Sequence, residues 1–360
     1  MSAPDPIVNR EAFAGSAAGE GGRPLQAQAS PPEREFENVL RPRTLAEFVG
    51  QERVVRNLEV ALRAARGRGE PLEHVLLSGP PGLGKTSLAR ILGSELESTL
   101  HTTSGPALER PRDLVGILTQ LGHGDVLFID EVHRTPAAIE EYLYTAMEDF
   151  TVDFTLDQGP NARILPLDLA RFTLIGATTR EGLLSSPFRN RFGILERLSH
   201  YPTADLVTIL VRSAGLLGVA LTESAADTIA ERSRGTPRIA NRFLRRARDL
   251  AQVTGRDAID LDVARETLER MGIDENGLED LDRRILSTLL SGAGPVGLKT
   301  IAASVGETED TIEEVFEPHL LRKGFLRKTA RGRELTPAGG RAIGATARGG
   351  RTDAQGGLFG

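Results

Sequence analysis

The chain has no cysteine, no excess of positive charge and no apolar run that approaches the roughly 18 to 20 residues needed to span a bilayer. Without cysteine there are no disulfides and no thiolate metal sites, which fits a reducing compartment. Without a long apolar run no transmembrane helix is expected, and residues 1–10 lack the apolar core of an export signal, so the expectation is a cytoplasmic protein with no membrane contact. A net charge of −6, from 44 Lys and Arg against 50 Asp and Glu, means that any grip on nucleic acid must come from local basic patches. With 360 residues, 39% of them hydrophobic, the chain is long enough for two or three domains, each with its own core.

Texture changes along the chain mark the divisions. Residues 1–38 are rich in Ala, Gly, Pro and charge and read as a disordered leader, because they have too little to bury to offset the entropy of ordering. Over 39–200, strand-like runs at His74 to Ser78, Asp125 to Ile129 and Phe172 to Gly176 alternate with amphipathic stretches, the pattern of a parallel sheet in an α/β fold. Over 201–275 strand patterns stop, and Ala204 to Leu217, Ser224 to Arg234, Pro237 to Val253 and Asp260 to Met271 read as helices. Thr236 should cap the third of these, with Pro237 in its first turn. Over 276–343, helices at Leu281 to Leu290, Leu298 to Val305 and Thr308 to Lys323, followed by a hairpin pattern over Gly324 to Leu335, point to a winged helix. Residues 344–360 read as a disordered Gly- and Arg-rich tail, and no internal repeat is present.

The chemistry begins at Gly79-Pro80-Pro81-Gly82-Leu83-Gly84-Lys85-Thr86, a full G-x-x-x-x-G-K-[ST] motif between a strand and a helix. Glycines let backbone N–H groups wrap phosphates, and the following helix adds its positive end. Lys85 is expected on the β and γ phosphates and Thr86 on Mg²⁺. Further on, Val126-Leu127-Phe128-Ile129-Asp130-Glu131 is an apolar strand closed by two carboxylates. Such a pair alone is usually a solvated strand end, but after a phosphate loop it reads as a Walker B segment. Asp130 would hold Mg²⁺ through water and Glu131 would orient the attacking water. The strand ending at Gly176-Ala177-Thr178-Thr179-Arg180 offers Thr179 as a sensor of the γ phosphate, unless these threonines simply begin a loop. Arg189 and Arg191, in Ser185 to Gly193, are candidates for an arginine finger or for surface ion pairs.

GPPGLGKT, TTSGP, DVLFIDEVHR, AMEDF, FTLIGATTR, SPFRNRFGI, RGTPRIANR, GPVGL and GFLRKTARGR together resemble, in order, the blocks of the RuvB family of bacterial Holliday junction branch-migration motors, over about Val39 to Leu335. The resemblance implies an AAA+ ATPase domain, a helical lid and a winged helix, an ATP and Mg²⁺ requirement, and a homohexameric ring around duplex DNA at four-way junctions, acting with RuvA and RuvC. It places Leu40, Arg41, Gly82, Lys85, Thr86, Ser87, Glu148, Asp149, Phe150 and Tyr201 at the nucleotide, Arg191 as the arginine finger and Arg238 as a second sensor. Leu156 to Leu169 reads as a hairpin with Leu165 and Leu167 on one side, and in the family such a hairpin meets RuvA.

The third winged-domain helix carries Glu309, Asp310, Glu313, Glu314 and Glu317, a face that phosphates should repel, whereas Arg322 to Arg333 holds six cations and no anion. The wing should therefore grip DNA through its backbone, without reading bases. The family's two wing contacts fall on Lys328 and Arg333. Lysine stands at the first where arginine is usual, which keeps the charge and loses the bidentate fork. An AAA+ clamp loader or initiator-like switch is the alternative function, and a DNA-binding regulator that uses nucleotide only to assemble is a third.

Overall fold

In the 38–267 part of the chain, three short strands whose residues are nearly all apolar have no polar face to offer water, and they become the centre of a sheet. The computed structural model describes residues 38–155 and 164–345. The expected leader before residue 38, the expected tail beyond residue 345 and residues 156–163 of the expected Leu156 to Leu169 hairpin lie outside the described residues. These form two compact units, one within Ala29–Thr267 and one within Leu268–Gly360.

The first unit opens with α1 (Glu52–Arg68), which buries Val54, Leu58, Leu62 and Ala65 along one stripe and stops at Gly69 in the left-handed region. There follow β1 (Val75–Ser78), α2 (Lys85–Glu95), β2 (Leu100–Ser104), α3 (Pro111–Leu118), β3 (Val126–Asp130) and α4 (Ala137–Glu148). Next come the hairpin strands β4 (Thr151–Thr155) and β5 (Ile164–Asp168), then β6 (Thr173–Thr178), the single-turn α5 (Ser186–Arg189) and β7 (Ile194–Arg197). The five-stranded sheet has the order β2-β3-β6-β1-β7, and every pairing in it is parallel. Central β1 and β6 are buried at every residue.

Two sheet strands escape the sequence pattern. β2 is Leu-His-Thr-Thr-Ser, half exposed at an edge, and β7 alternates in burial at the other edge. β6 also runs two residues past the expected Gly176, to Thr178, where Ser78 pairs with it. The inserted hairpin starts earlier than Leu156, because Thr151–Thr155 supplies its first strand.

The lid contains α6 (Thr203–Leu216), β8 (Ala220–Leu221), α7 (Glu223–Arg232), α8 (Pro237–Val253), β9 (Ala258–Ile259) and α9 (Leu261–Arg270). Strand patterns were not expected here, yet β8 and β9 form a two-residue parallel pair, too short to show a periodicity. Thr236 begins α8 without a side-chain cap; its hydroxyl turns to the Arg234 carbonyl at 3.4 Å.

The second unit has α10 (Asp280–Ser291), α11 (Leu298–Val305), α12 (Glu309–Thr311), a π-turn over Ile312–Phe316, α13 (Glu317–Arg322), β10 (Leu326–Thr329), β11 (Gly332–Leu335) and α14 (Pro337–Ala342). Leu286, Ile301, Phe316 and Leu320 lie in its core, and Val296 bridges to Arg333 beside the hairpin, completing a winged helix. The expected helix over Thr308 to Lys323 is interrupted by the π-turn. Pro318 has no N–H for the Glu314 carbonyl, so a regular i→i−4 ladder cannot pass through this point. Among the described residues no helix is long and apolar enough to cross a membrane.

Phe188 and Phe192 pack edge to face at 5.3 Å and bury the loop that carries Arg191 against the core. Phe192→Ala is expected to lower unfolding free energy in urea titrations by about 3–5 kcal/mol, the range for truncating a buried Phe.

Candidate functional site

A parallel sheet delivers the carboxyl ends of its strands to one edge, where open α/β sheets bind ligands. Here that edge collects the Gly79 loop after β1, Asp130 and Glu131 at the end of β3, and Thr178 and Thr179 at the end of β6. The Gly79 N–H donates to the Thr178 carbonyl at 3.1 Å, which joins loop and sensor strand directly. Gly79 has φ 133, and a Cβ there would lie 2.4 Å from the Leu198 carbonyl oxygen, so no larger residue fits.

Lys85 is buried, and its Nζ donates to the carbonyls of Gly79 at 2.6 Å and Pro80 at 2.8 Å. Burial pulls the ammonium down to about 8, against the opposing pull of Asp130. The loop carbonyls thus hold the donors that phosphate oxygens would take. Thr86 Oγ1 donates to Asp130 Oδ2 at 3.2 Å, so a hydroxyl and a carboxylate oxygen converge on one point beside the cradle. Two hard oxygens and no larger protein cage suit Mg²⁺, which takes most of its shell from phosphate and water. Ser87 follows in the first turn of α2 and is buried.

Glu131 sits in the left-handed region at φ 50, and its carboxylate is held by Arg134 at 2.9 Å. Thr178 is 1% exposed, and its hydroxyl pairs with His133 Nδ1 and accepts from the Arg180 N–H, each at 3.0 Å. Thr179, half-buried beside it, makes no such bond among the described residues. His133 was not singled out in the sequence, where it is one polar residue behind the acidic pair. Burial lowers its pKa, with Glu131 pulling the other way.

The lid supplies the other wall. The Arg238 N–H donates to the Gly82 carbonyl at 3.4 Å. A Cβ at Gly82 would meet Thr236 Cγ2 at 2.8 Å and Arg238 Cβ at 3.0 Å. The amino end of α8 therefore points at the cradle together with that of α2. Tyr201 Oη donates to the Leu83 carbonyl at 3.1 Å, and burial keeps this phenol protonated by raising its pKa. Phe48 closes against Gly84 and Tyr201 against Gly50. Leu40 is buried and Arg41 half-buried at the start of this same segment.

Glu148, Asp149, Phe150 and Arg191 are not brought to this cradle. Arg191 is ion-paired with Glu148, bonded to the Tyr144 hydroxyl and stacked 4.3 Å from the Tyr144 ring. Phe150 packs edge to face on Phe172 at 5.8 Å and lies 6.2 Å from His74, residues that immediately precede β6 and β1. This is the amino edge, a strand length of about 13 Å away for four residues at 3.3 Å each. The residues expected beside the nucleotide, Glu148 to Phe150, thus stand at the edge opposite the cradle of the same chain. Phe150 and Arg191, together with Arg68, His74, Arg171 and Gly193, line a cleft of about 440 Å³. His74 is fixed there as the neutral tautomer: Nδ1 accepts from the Leu174 N–H at 2.8 Å and Nε2 donates to the Met147 carbonyl at 3.1 Å.

On the hairpin, Leu167 is the cross-strand partner of Val152, and Leu165, two residues before it, lies on the same side. Val152 is 1% exposed while Leu165 is 44% exposed, so this side runs from the core into solvent.

In the winged unit Lys328 and Arg333 are cross-strand partners on one face. Both are held by the acidic helix. Lys328 Nζ lies 2.7 Å from Glu317 and 3.2 Å from Glu313, and Arg333 bonds Glu317 at 2.5 Å and Glu313 at 3.4 Å. Glu317 is 2% exposed and Arg333 14%. The hydrogen bond to Glu317 raises the Arg333 pKa; at Lys328 burial works downward and is outweighed by Glu317 and Glu313. The acidic face expected merely to repel DNA is in fact the counterion of the wing.

Cradle, acidic strand end, polar third strand and helical lid define a P-loop ATPase of the AAA+ class. The chain matches the Holliday junction DNA helicase RuvB P-loop domain over residues 40–198, the RuvB AAA lid domain over 201–274 and the RuvB C-terminal winged helix domain over 275–344. It belongs to the RuvB family. It is 57% identical to the Holliday junction branch migration complex subunit RuvB of Myxococcus xanthus over 314 residues, 87% of this chain and 92% of the relative. The Prosthecochloris aestuarii subunit is 55% identical over the same shares. The solved Thermotoga maritima RuvB Holliday junction branch migration motor superposes with a TM-score of 0.78 at 50% identity, covering 85% of this chain and 98% of that one.

Gly82→Ala places a methyl group between the cradle and α8 at a positive φ. Equilibrium titration with ADP is expected to show at least tenfold weaker binding, while the urea midpoint of the winged unit stays in place.

Proposed function

We propose that this protein is an ATP-driven DNA motor that migrates the branch point of four-way junctions, as a homohexameric ring around duplex DNA that works with RuvA and RuvC in the cytoplasm. The observation that carries the reading is the division of catalytic groups between opposite edges of one sheet. Cradle, metal-side oxygens and water-orienting carboxylate stand at the carboxyl edge; Arg191 and Glu148 to Phe150 stand at the amino edge. A chain that carries both sets apart can complete a site only when its amino edge meets the cradle of a second copy.

In this reading Lys85 moves from the loop carbonyls to the β and γ oxygens. Thr86 and Asp130 would hold Mg²⁺, which when bound would neutralise phosphate charge. Glu131 leaves Arg134 to accept a proton from the attacking water, Thr179 reports the γ phosphate, and the Thr178–His133 bond fixes the strand end beneath it. Arg238 follows the phosphates with the lid, and Arg191 comes from the neighbour. Leu40, Arg41 and Tyr201 hold the base. Leu165 and Leu167 offer the hairpin face to RuvA. At the wing, duplex phosphates replace exposed Glu313 on Lys328 and Arg333 while buried Glu317 keeps both cations in place, which gives a grip that is independent of sequence and easily released. A loader or initiator switch is disfavoured by the family match along all three segments.

Two experiments test this. Lys85→Ala and Arg191→Ala are each expected to reduce DNA-stimulated ATPase and junction migration by at least about 10³-fold, the scale of arginine-finger loss. Mixing them should restore a measurable fraction, since one variant keeps the finger and the other the cradle; a mixture as inactive as its components would overturn the shared site. Separately, Glu313→Gln should tighten duplex binding about two- to fivefold, as expected for an exposed ion pair of up to about 1 kcal/mol. Glu307→Gln, the same charge change away from the wing cations, should leave binding unchanged.

A further inference from the structure

Arg212 lies in the second half of α6, outside every motif considered so far. Its guanidinium forks: Nη1 donates to the Leu40 carbonyl at 2.8 Å and Nη2 to the Glu47 carboxylate at 2.8 Å. Glu47 in turn accepts the Arg43 N–H at 3.0 Å, and its own N–H turns back to Thr44. This closes the loop between the two anchor points. The Arg43 bond, foremost, and then Arg212 hold the Glu47 carboxyl below its usual range against burial. Seven residues before Arg212, on the same face of the helix, Asp205 stands 2.7 Å from where a Gly50 Cβ would lie. The 40–50 segment therefore runs along one face of α6, touching it at two points about 10 Å apart at 1.5 Å per residue. Between those points Phe48 packs on Gly84 of the phosphate loop.

An exposed Arg–Glu pair by itself contributes little. The bond to a main-chain carbonyl is different, because it fixes backbone, and the backbone it fixes is that of buried Leu40 beside Arg41. Arg212 is planar and forked, so it can hold both acceptors at once, which the point charge of lysine cannot do with the same geometry. We infer that Arg212 is a positioning residue for the nucleotide base: it fastens the Leu40 to Glu47 segment to the lid, so that the base pocket forms only with the lid in register and moves with it. The inference rests on the reading that Leu40, Arg41 and Tyr201 hold the base.

The test compares ADP with inorganic tripolyphosphate, which has no base, as ligands of the full chain. Arg212→Ala should bind ADP roughly tenfold more weakly, the scale of a hydrogen bond to a charged donor, and should bind tripolyphosphate as the parent does. KM for ATP should rise by a similar factor with kcat at saturation within about twofold, and Arg212→Lys should recover part of the loss. Thermal melting of each variant establishes that it is folded. Equal weakening of ADP and tripolyphosphate, or no weakening of either in folded protein, would overturn the role of Arg212. Tyr201→Ala separates the two levels: if it weakens ADP binding while Arg212→Ala does not, the inference alone fails, and if it leaves ADP binding intact the base lies elsewhere and both fall.

Discussion

The constraint on which the rest depends is the common direction of the five sheet strands. Parallel pairing of Val75–Ser78 with Ile175–Thr178, and of Val126–Ile129 with Thr173–Gly176, forces three chain segments far apart in sequence to end at one edge. Each strand end then needs no device of its own to find its partners. The Thr86–Asp130 hydrogen bond at 3.2 Å and the Gly79–Thr178 bond at 3.1 Å are consequences of that register. A slip by one residue would turn every side chain to the other face of the sheet and separate hydroxyl from carboxylate. The same direction sends Phe150, Phe172 and Arg191 to the opposite edge.

In each unit, the charges proposed for function have partners within the protein. Lys85 is on loop carbonyls, Glu131 on Arg134, and Lys328 and Arg333 on Glu313 and Glu317. In the proposed reading, each of these charges has a protein partner of the polarity that its ligand would offer. Buried charge without a partner would cost several kcal/mol, and a partner bonded too well would not yield. Hydrogen bonds of 2.6 to 3.2 Å to loop carbonyls and to half-exposed carboxylates are of the kind that phosphate can displace. Glu317 is the exception, because it is nearly inaccessible, and it anchors the wing while Glu313 at 45% exposure is the exchangeable member.

Much of this was legible in the sequence. The glycine cradle, Asp130 and Glu131, the α8 start at Pro237 and the wing hairpin rest on residues within a few positions of one another, and local sterics and periodicity specify them. β2 and β7 were not legible, since edge strands need not be apolar, and the β8–β9 pair is too short to carry a pattern. The π-turn was not read from the sequence, where Thr308 to Lys323 reads as one helix, although Pro318, which lacks an N–H, lies inside it.

What the sequence by itself determined is the chemistry present: phosphate donors, a paired acid, a polar third strand, a cationic wing, and through their order the family. Tertiary structure decided which groups meet. It selected Thr178 for His133, placed Arg191 with Glu148 away from the cradle, paired the acidic helix with the wing, and set Arg212 on the Leu40 carbonyl. The reason is physical. A motif is fixed by backbone geometry over a handful of residues, whereas the meeting of residues 172 positions apart is set by sheet register and helix packing, which no local pattern records.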